Sequence, residues 1–262
     1  MTTFTNDGVI ALATHLGVQT LPLVLSIGPE QDSHHELQLA QERARAELVT
    51  RRIVDAHGDT DPDTAAAFFA LAQPDCELAA RNVAESGQVR VSIVRRGETQ
   101  VMAVRRGEAI EIHSMWSDGS GSSLAKPILD ALAPNKPAQV VSLSAPSAEL
   151  AERFEAAANS GDYASVVYSL GVAETDATAY GLALASCHSY TEVVAYAYAD
   201  GVTYQSPGAA VVYDTSYGRI VSAPGIAPDQ QLWSTLTPGT DHRIAQAIAA
   251  LIDSLPGRRW LP

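Results

Sequence analysis

Cys187-His188 sets a thiol beside an imidazole, the two groups that a cysteine nucleophile and its base would supply. Neighbours on a strand point to opposite faces and cannot hydrogen-bond as a pair, so a packed cysteine near a strand start is the expected role. His34-His35, with His15, His57, His113 and His242, offers no i, i+4 histidine pair and no HExxH, the spacings that place zinc ligands on one helix face. Asp59, Asp61 and Asp63 alternate like the start of a calcium loop. Pro62 and Ala65-Ala66-Ala67 then leave the later loop positions without oxygen ligands, and helix capping is expected instead. Asp118-Gly119-Ser120-Gly121-Ser122-Ser123 lacks the lysine of a phosphate loop, the third glycine of a dinucleotide loop and the GxSxG of a hydrolase elbow, which leaves a flexible linker. No catalytic, metal or cofactor set emerges. One enzymatic arrangement stays open: a small-molecule enzyme with Asp214, Arg219 and His188 as acid/base groups in a cleft. The same Asp214 and Arg219 also suit an ion pair that ties a hairpin turn.

Two other groups of residues suit partner binding. Arg90, Arg95, Arg96, Arg105 and Arg106, with Gly97 among them, gather five of the seventeen basic residues within seventeen positions of one meander. Arginine forks pair bidentately with carboxylates and are enriched at interfaces, although a charged sheet edge that resists aggregation would look the same. Farther on, Tyr190, Glu192, Val194, Tyr196 and Tyr198 alternate with Thr191, Val193, Ala195, Ala197 and Ala199. The small face suits close helix packing, and the tyrosines fall on the opposite face, there to anchor a partner or to lie beneath another helix.

The 262 residues carry a formal net charge of −13, which repels phosphate backbones and anionic lipid, so neither nucleic acid nor membrane is an expected partner. Both halves share the excess, with 18 acidic and 11 basic residues up to position 134 and 12 against 6 beyond it. Cys76 and Cys187 form no CxxC and no disulfide framework, there is no signal-peptide pattern, and no run reaches membrane-spanning length; a reduced cytoplasmic setting is expected.

Helical spacing marks Asn6–Leu16, the segment capped by Ser33 and running through Leu48, and the segment from Asp61-Pro62 to Pro74. Leu21-Pro22-Leu23-Val24-Leu25 reads as an extended lead-in. From Cys76 the period becomes 2, giving an antiparallel meander of Cys76–Val83, Gln88–Arg95, Thr99–Arg105 and Glu108–Met115. Val94-Arg95-Arg96-Gly97-Glu98 recurs as Val104-Arg105-Arg106-Gly107-Glu108, which puts the two Arg-Arg pairs at opposite ends of the meander. A helix through Leu124 and Ile128 stops at Pro134. The rest repeats this order: a strand at Gln139–Leu143, helices at 146–158, 162–170 and 176–185, strands at 190–199, 209–214, 218–222 and 232–236, and an apolar closing helix. The expectation is an α+β protein with an N-terminal half, 1–134, and a C-terminal half, 135–262, joined in one compact domain.

The stretch Val212-Tyr213-Asp214-Thr215-Ser216-Tyr217-Gly218-Arg219, then Trp233-Ser234-Thr235-Leu236-Thr237-Pro238 and the closing helix, resembles the end of the EspG family. Leu21-Pro22-x-x-Leu25, the charged helix, Leu71-x-x-Pro74 and the strands around Arg95-Arg96-Gly97 resemble its beginning. The resemblance implies a non-enzymatic cytosolic chaperone of type VII (ESX) secretion in actinobacteria, one that binds the apolar tip of the PPE protein in a PE/PPE heterodimer and keeps it soluble for export. It implies a central antiparallel sheet flanked by two helical bundles with approximate two-fold symmetry, docking through the sheet and the C-terminal bundle, and no cofactor. It transfers no contact residue. Arg90, Arg95, Arg96, Gly97, Arg105, Arg106, Tyr190, Tyr196 and Tyr198 are the partner-binding candidates, with self-association left open. The short Arg96-Gly97-Glu98 link departs from members that carry a long loop there.

Overall fold

Thr5, Ser33 and Asp61 each turn a side-chain oxygen onto a backbone N–H of the following turn, and these caps open three helices: α1 (Asn6–His15), α2 (His34–Thr50) and α3 (Pro62–Ala72). The computed structural model describes residues 2–261. Before α1 lies β1 (Thr2–Phe4), and after α3 come β2 (Cys76–Ala84), β3 (Gly87–Arg96), β4 (Thr99–Arg106), β5 (Ala109–Ser114) and α4 (Gly121–Asp130). The second half runs β6 (Leu143–Pro146), α5 (Ser147–Glu155), α6 (Ser160–Ser169), α7 (Glu174–Ala185), β7 (Cys187–Ala199), β8 (Val202–Gln205), β9 (Ala210–Thr215), β10 (Gly218–Ile226), β11 (Leu232–Pro238) and α8 (Asp241–Asp253).

All strands join one sheet in the order β1-β5-β4-β3-β2-β7-β9-β10-β11-β6, with β8 paired to the far end of β7. The pairing is antiparallel throughout. Each half contributes an edge strand, three helices, a meander and a closing helix, and the order reads alike from either edge to the middle. The architecture is α+β, a central antiparallel sheet with helical bundles packed on it.

Sequence and structure differ at several places. Asp118–Ser123 is not a flexible linker: Ser120 caps α4, whose first turn begins at Gly121, and Asp118 accepts from Ser120 N–H and Ser123 Oγ. Leu21–Leu25 is not an extended lead-in: Leu23–Leu25 forms a 3-10 turn, because arginines distant in sequence hold its carbonyls. The strand expected at Gln139–Leu143 lies at Leu143–Pro146, since β11 offers partners only from Leu236 opposite Leu143 to Trp233 opposite Pro146. The strand expected from Tyr190 begins at Cys187, with a register shift between Cys187 and Ser189. β1 and β8 are additional. The Arg96–Thr99 link is short, as expected, and Gly97 takes φ +57 at its first turn position.

Strand pleat divides the core into three. On one face Leu78, Val91, Ile93, Met102, Val193, Ala195, Val212 and Val221 pack against the apolar stripes of α4 and α8. The opposite face is capped only toward its ends. Val94, Val101, Ala103, Ile110 and Ile112 bury against α1, α2 and α3 at one end, and Ile220 and Leu236 bury against Leu150, Val167 and Tyr180 of α5, α6 and α7 at the other.

The segment between the halves is fastened by a buried ion pair. Asp214 and Arg219 are direct cross-strand partners, and Arg219 Nε and Nη2 donate to the two Asp214 carboxylate oxygens at 2.8 and 3.3 Å. Arg219 Nη2 also donates to the Ala133 carbonyl and Asn135 Nδ2 to Asp214 Oδ1. Gly218, at φ +116, lies so near Ala138 that a Cβ would sit 2.7 Å from its backbone nitrogen. Removing one partner of a buried pair strands the other charge at about 3–5 kcal/mol. Asp214→Ala should therefore lower the melting temperature by on the order of 10 °C in a thermal-denaturation scan; an unchanged midpoint would show that the pair does not fasten the halves.

Candidate functional site

The two bundles do not meet over the middle of the sheet, and a groove of about 1040 Å³ opens there between the N-terminal bundle and the β7–β8 hairpin. Its floor follows from pleat parity: Glu77, Ala79 and Arg81 of β2 alternate outward, as do Glu192, Val194, Tyr196 and Tyr198 of β7, while Leu78, Ala80, Val193, Ala195 and Ala197 turn to the α4 and α8 layer. One wall is Thr20–Val24 with the end of α3; the other is the β7–β8 hairpin, residues 199–203. Asp200 and Gly201 at the hairpin tip both have positive φ, +53 and +76, the geometry of a two-residue turn matched to strand twist.

Charges in the floor are paired within the chain. Arg81 and Glu192 face one another across β2 and β7 with Nη2 to Oε2 at 2.7 Å. The Glu77 carboxylate is buried beneath the tyrosines and accepts from Tyr198 Oη at 2.8 Å and Ser92 Oγ at 2.9 Å. Burial pushes its pKa above the ordinary 4.5 despite those two bonds. The same burial, with the Glu77 charge nearby, raises the Tyr196 and Tyr198 hydroxyls. The Tyr196 and Tyr198 rings stack at 6.4 Å between centroids, so the floor presents aromatic surface flanked by neutralised charge.

Of the nine residues picked from the sequence, the groove brings together Arg90, Tyr196 and Tyr198. The two Arg-Arg pairs stand at opposite ends of the meander and are occupied within the chain. Arg95 pairs with Asp75 at 2.8 Å beside Gly97, whose N–H donates to the same carboxylate. Arg96 donates to the Phe69 carbonyl at the end of α3 and to Gln73. Arg105 holds Leu25, Ser26 and Glu30, and Arg106 faces Glu111 at 3.7 Å. Arg90 donates to the Val24 carbonyl at 3.0 Å. Tyr190 shares the outward parity of Tyr196 but pairs opposite Tyr213, outside the groove lining.

Asp214, Arg219 and His188 do gather, but as a structural knot outside the groove: His188 Nδ1 donates to the Asp214 backbone carbonyl at 2.5 Å while the Asp214 carboxylate is saturated by Arg219 and Asn135. Cys187 is half-buried, and burial raises its thiol pKa, which disfavours the thiolate. Among the described residues no group of three or more His, Cys, Asp or Glu is placed to hold a metal ion, and no helix is long and apolar enough to cross a membrane. Sequence reading missed Glu77, Ala79, Leu23 and Val202 as groove residues. Asp200-Gly201 was the available signal for the β7–β8 hairpin; nothing local announced Leu23.

The sequence profile of the EspG family matches residues 5–250. The ESX-3 secretion-associated protein EspG3 of Mycolicibacterium smegmatis is 29% identical over 258 residues, spanning 98% of this chain and 88% of that protein. The ESX-1 secretion-associated protein EspG1 of Mycobacterium tuberculosis is 28% identical over 261 residues, with the same two coverages. Among solved structures, the Mycobacterium tuberculosis type VII secretion system chaperone EspG5, in complex with a PE25–PPE41 dimer, shares the fold with a TM-score of 0.83 at 22% identity, over 97% of this chain and 96% of that one.

Because Glu77 has a raised pKa, the folded chain holds this proton more tightly than the unfolded chain. The resulting stabilisation is full below 4.5 and is lost as pH rises through the folded value. Glu77→Gln keeps a donor and an acceptor for Tyr198 and Ser92 without a buried charge. Its melting temperature should exceed that of the parent by a few degrees at pH 8, with the gap closing toward pH 4.5. A variant less stable at every pH would show that the two hydrogen bonds outweigh the buried charge.

Proposed function

The chain belongs to the EspG family, and on that premise we propose that it is a cytoplasmic chaperone of type VII (ESX) secretion that binds a PE/PPE heterodimer and keeps it soluble for export. It acts by binding and carries out no reaction. The observation that carries this reading is the open centre of an otherwise covered sheet. The groove floor combines Ala79, Val194, Tyr196 and Tyr198 with walls from Leu21 to Val24 and Val202, a concave surface suited to the apolar tip of a PPE helical bundle. Tyrosine and aliphatic side chains on rigid strands lose little conformational freedom when a partner covers them, which suits them to serve as anchors. The net charge of −13 suits a protein that must expose such a surface without clustering.

Within this reading Tyr196 and Tyr198 are the proposed contacts, and Arg90, Arg95, Arg96, Gly97, Arg105 and Arg106 act one step back by holding loops, turns and helix ends in place. Copurification from the source cell is the direct test: a PE/PPE heterodimer should accompany the chain, and a clean complex with an unrelated protein and no PE/PPE partner would refute the proposal. Tyr196→Ala should weaken that complex about tenfold or more, the size of an interface hot spot, with little change in melting temperature. Arg96→Glu, which breaks the tie to the end of α3, should lower the melting temperature as well as affinity.

A further inference from the structure

Leu23 is 95% exposed although the residue two places on, Leu25, is fully buried. A leucine in solvent is ordinary on a mobile loop, where it samples many positions. This loop is fixed from several sides. Pro22 leads into the 3-10 turn, Leu25 plugs the core under α1 and α3, and Ser26 adopts a left-handed φ of +51. Two arginines reach across from the sheet and take the carbonyls in sequence: Arg90 Nη1 donates to Val24 at 3.0 Å, and Arg105 Nη1 donates to Leu25 at 3.2 Å and also to Ser26. Arg105 Nη2 further pairs with Glu30 at 2.9 Å. Arg90 and Arg105 are direct partners on β3 and β4, so two like charges stand side by side. Such a pairing is unfavourable on a sheet unless both charges have other work. Desolvation, together with the neighbouring Arg105 and Arg81 charges, holds the Arg90 pKa below its ordinary value.

The bonds that seat Leu25 in the core also fix one large side chain in the open, Leu23, on the groove wall facing the β7–β8 hairpin. We propose that Leu23 is a preformed anchor which inserts between the helix ends of the PPE tip, and that Arg90 and Arg105 are positioning residues that hold the loop rigid for it. The proposal rests on the chaperone reading above and adds a specific contact to it. The opposing wall supplies Val202, 48% exposed, as a second point of the clamp.

The test has two arms. In the first, a nitroxide label on Leu23→Cys in the partner-free protein should be as immobile as a label on a helix surface, and Arg105→Ala should make it mobile while Arg105→Lys restores much of the order. A mobile label in the parent overturns the proposal. In the second, binding to the PE/PPE heterodimer encoded beside ESX genes in the source genome is measured by calorimetry. Leu23→Asp should lower affinity at least tenfold with an unchanged melting temperature, as expected for a side chain that touches nothing in the free protein. If Leu23→Asp binds like the parent while Tyr196→Ala is weakened, the anchor is wrong and the chaperone reading stands. If the parent itself fails to bind any PE/PPE heterodimer, the chaperone reading falls and the anchor with it.

Discussion

The antiparallel pairing of β2 with β7, from Cys76 opposite Ala197 to Ala84 opposite Ser189, joins the meanders of the two halves edge to edge and makes them one sheet. Its register decides which residues the groove contains. Because strand side chains alternate with a period of 2, this alignment puts Leu78 beside Ala195 on the covered face and Glu77 beside Tyr196 on the open one. A slip of β7 by one residue would bury Glu192 against α8 and expose Val193 and Ala195 on the open face. Asn82 guards against that slip: its amide reaches Ser189 Oγ at 2.7 Å and Thr191 Oγ1 at 3.0 Å across the junction, contacts that exist in this register alone.

The open centre follows from where each half can place its helices. Connections within a half are short, so α1 to α3 pack over β3, β4 and β5, and α5 to α7 pack over β9, β10 and β11. The two closing helices take the other face together, where α4 and α8 touch through Gly121; a Cβ at that position would lie 2.2 Å from the Ala245 carbonyl oxygen. The innermost strands are therefore covered once and not twice. An exposed apolar sheet surface is an aggregation hazard, and the structure moderates it with an ion pair in the floor, hydroxyl-bearing tyrosines and a strongly acidic exterior.

Much of this was legible in the residues. Ser33 with Glu36, and Asp61 with Pro62, marked helix starts because caps act within one turn. The repeated Arg-Arg-Gly-Glu marked two hairpins because turn geometry demands glycine there, and the tyrosine and alanine faces of β7 sorted as period 2 requires. β1 and β8 escaped because three or four residues carry too little periodicity, and both depend on partners elsewhere in the chain. The arginines were recognised as a group, but their assignments were not legible: Arg90 and Arg105 bind carbonyls 66 and 80 positions away, a relation set by tertiary packing alone. For the same reason the turn at Leu23 could not be told from an extended lead-in, and the groove wall it forms could not be foreseen.

The central claim is that the partner lies on the open middle of the sheet. A photo-crosslinking residue at Val194, in the groove floor, reports on this directly, with the same group at exposed Trp116 outside the groove as control. The account predicts that irradiation of the complex joins the Val194 position to the helical tip of the PPE protein and that the Trp116 position gives no adduct. Crosslinking from Trp116, or none from Val194 in a complex that forms normally, would contradict it.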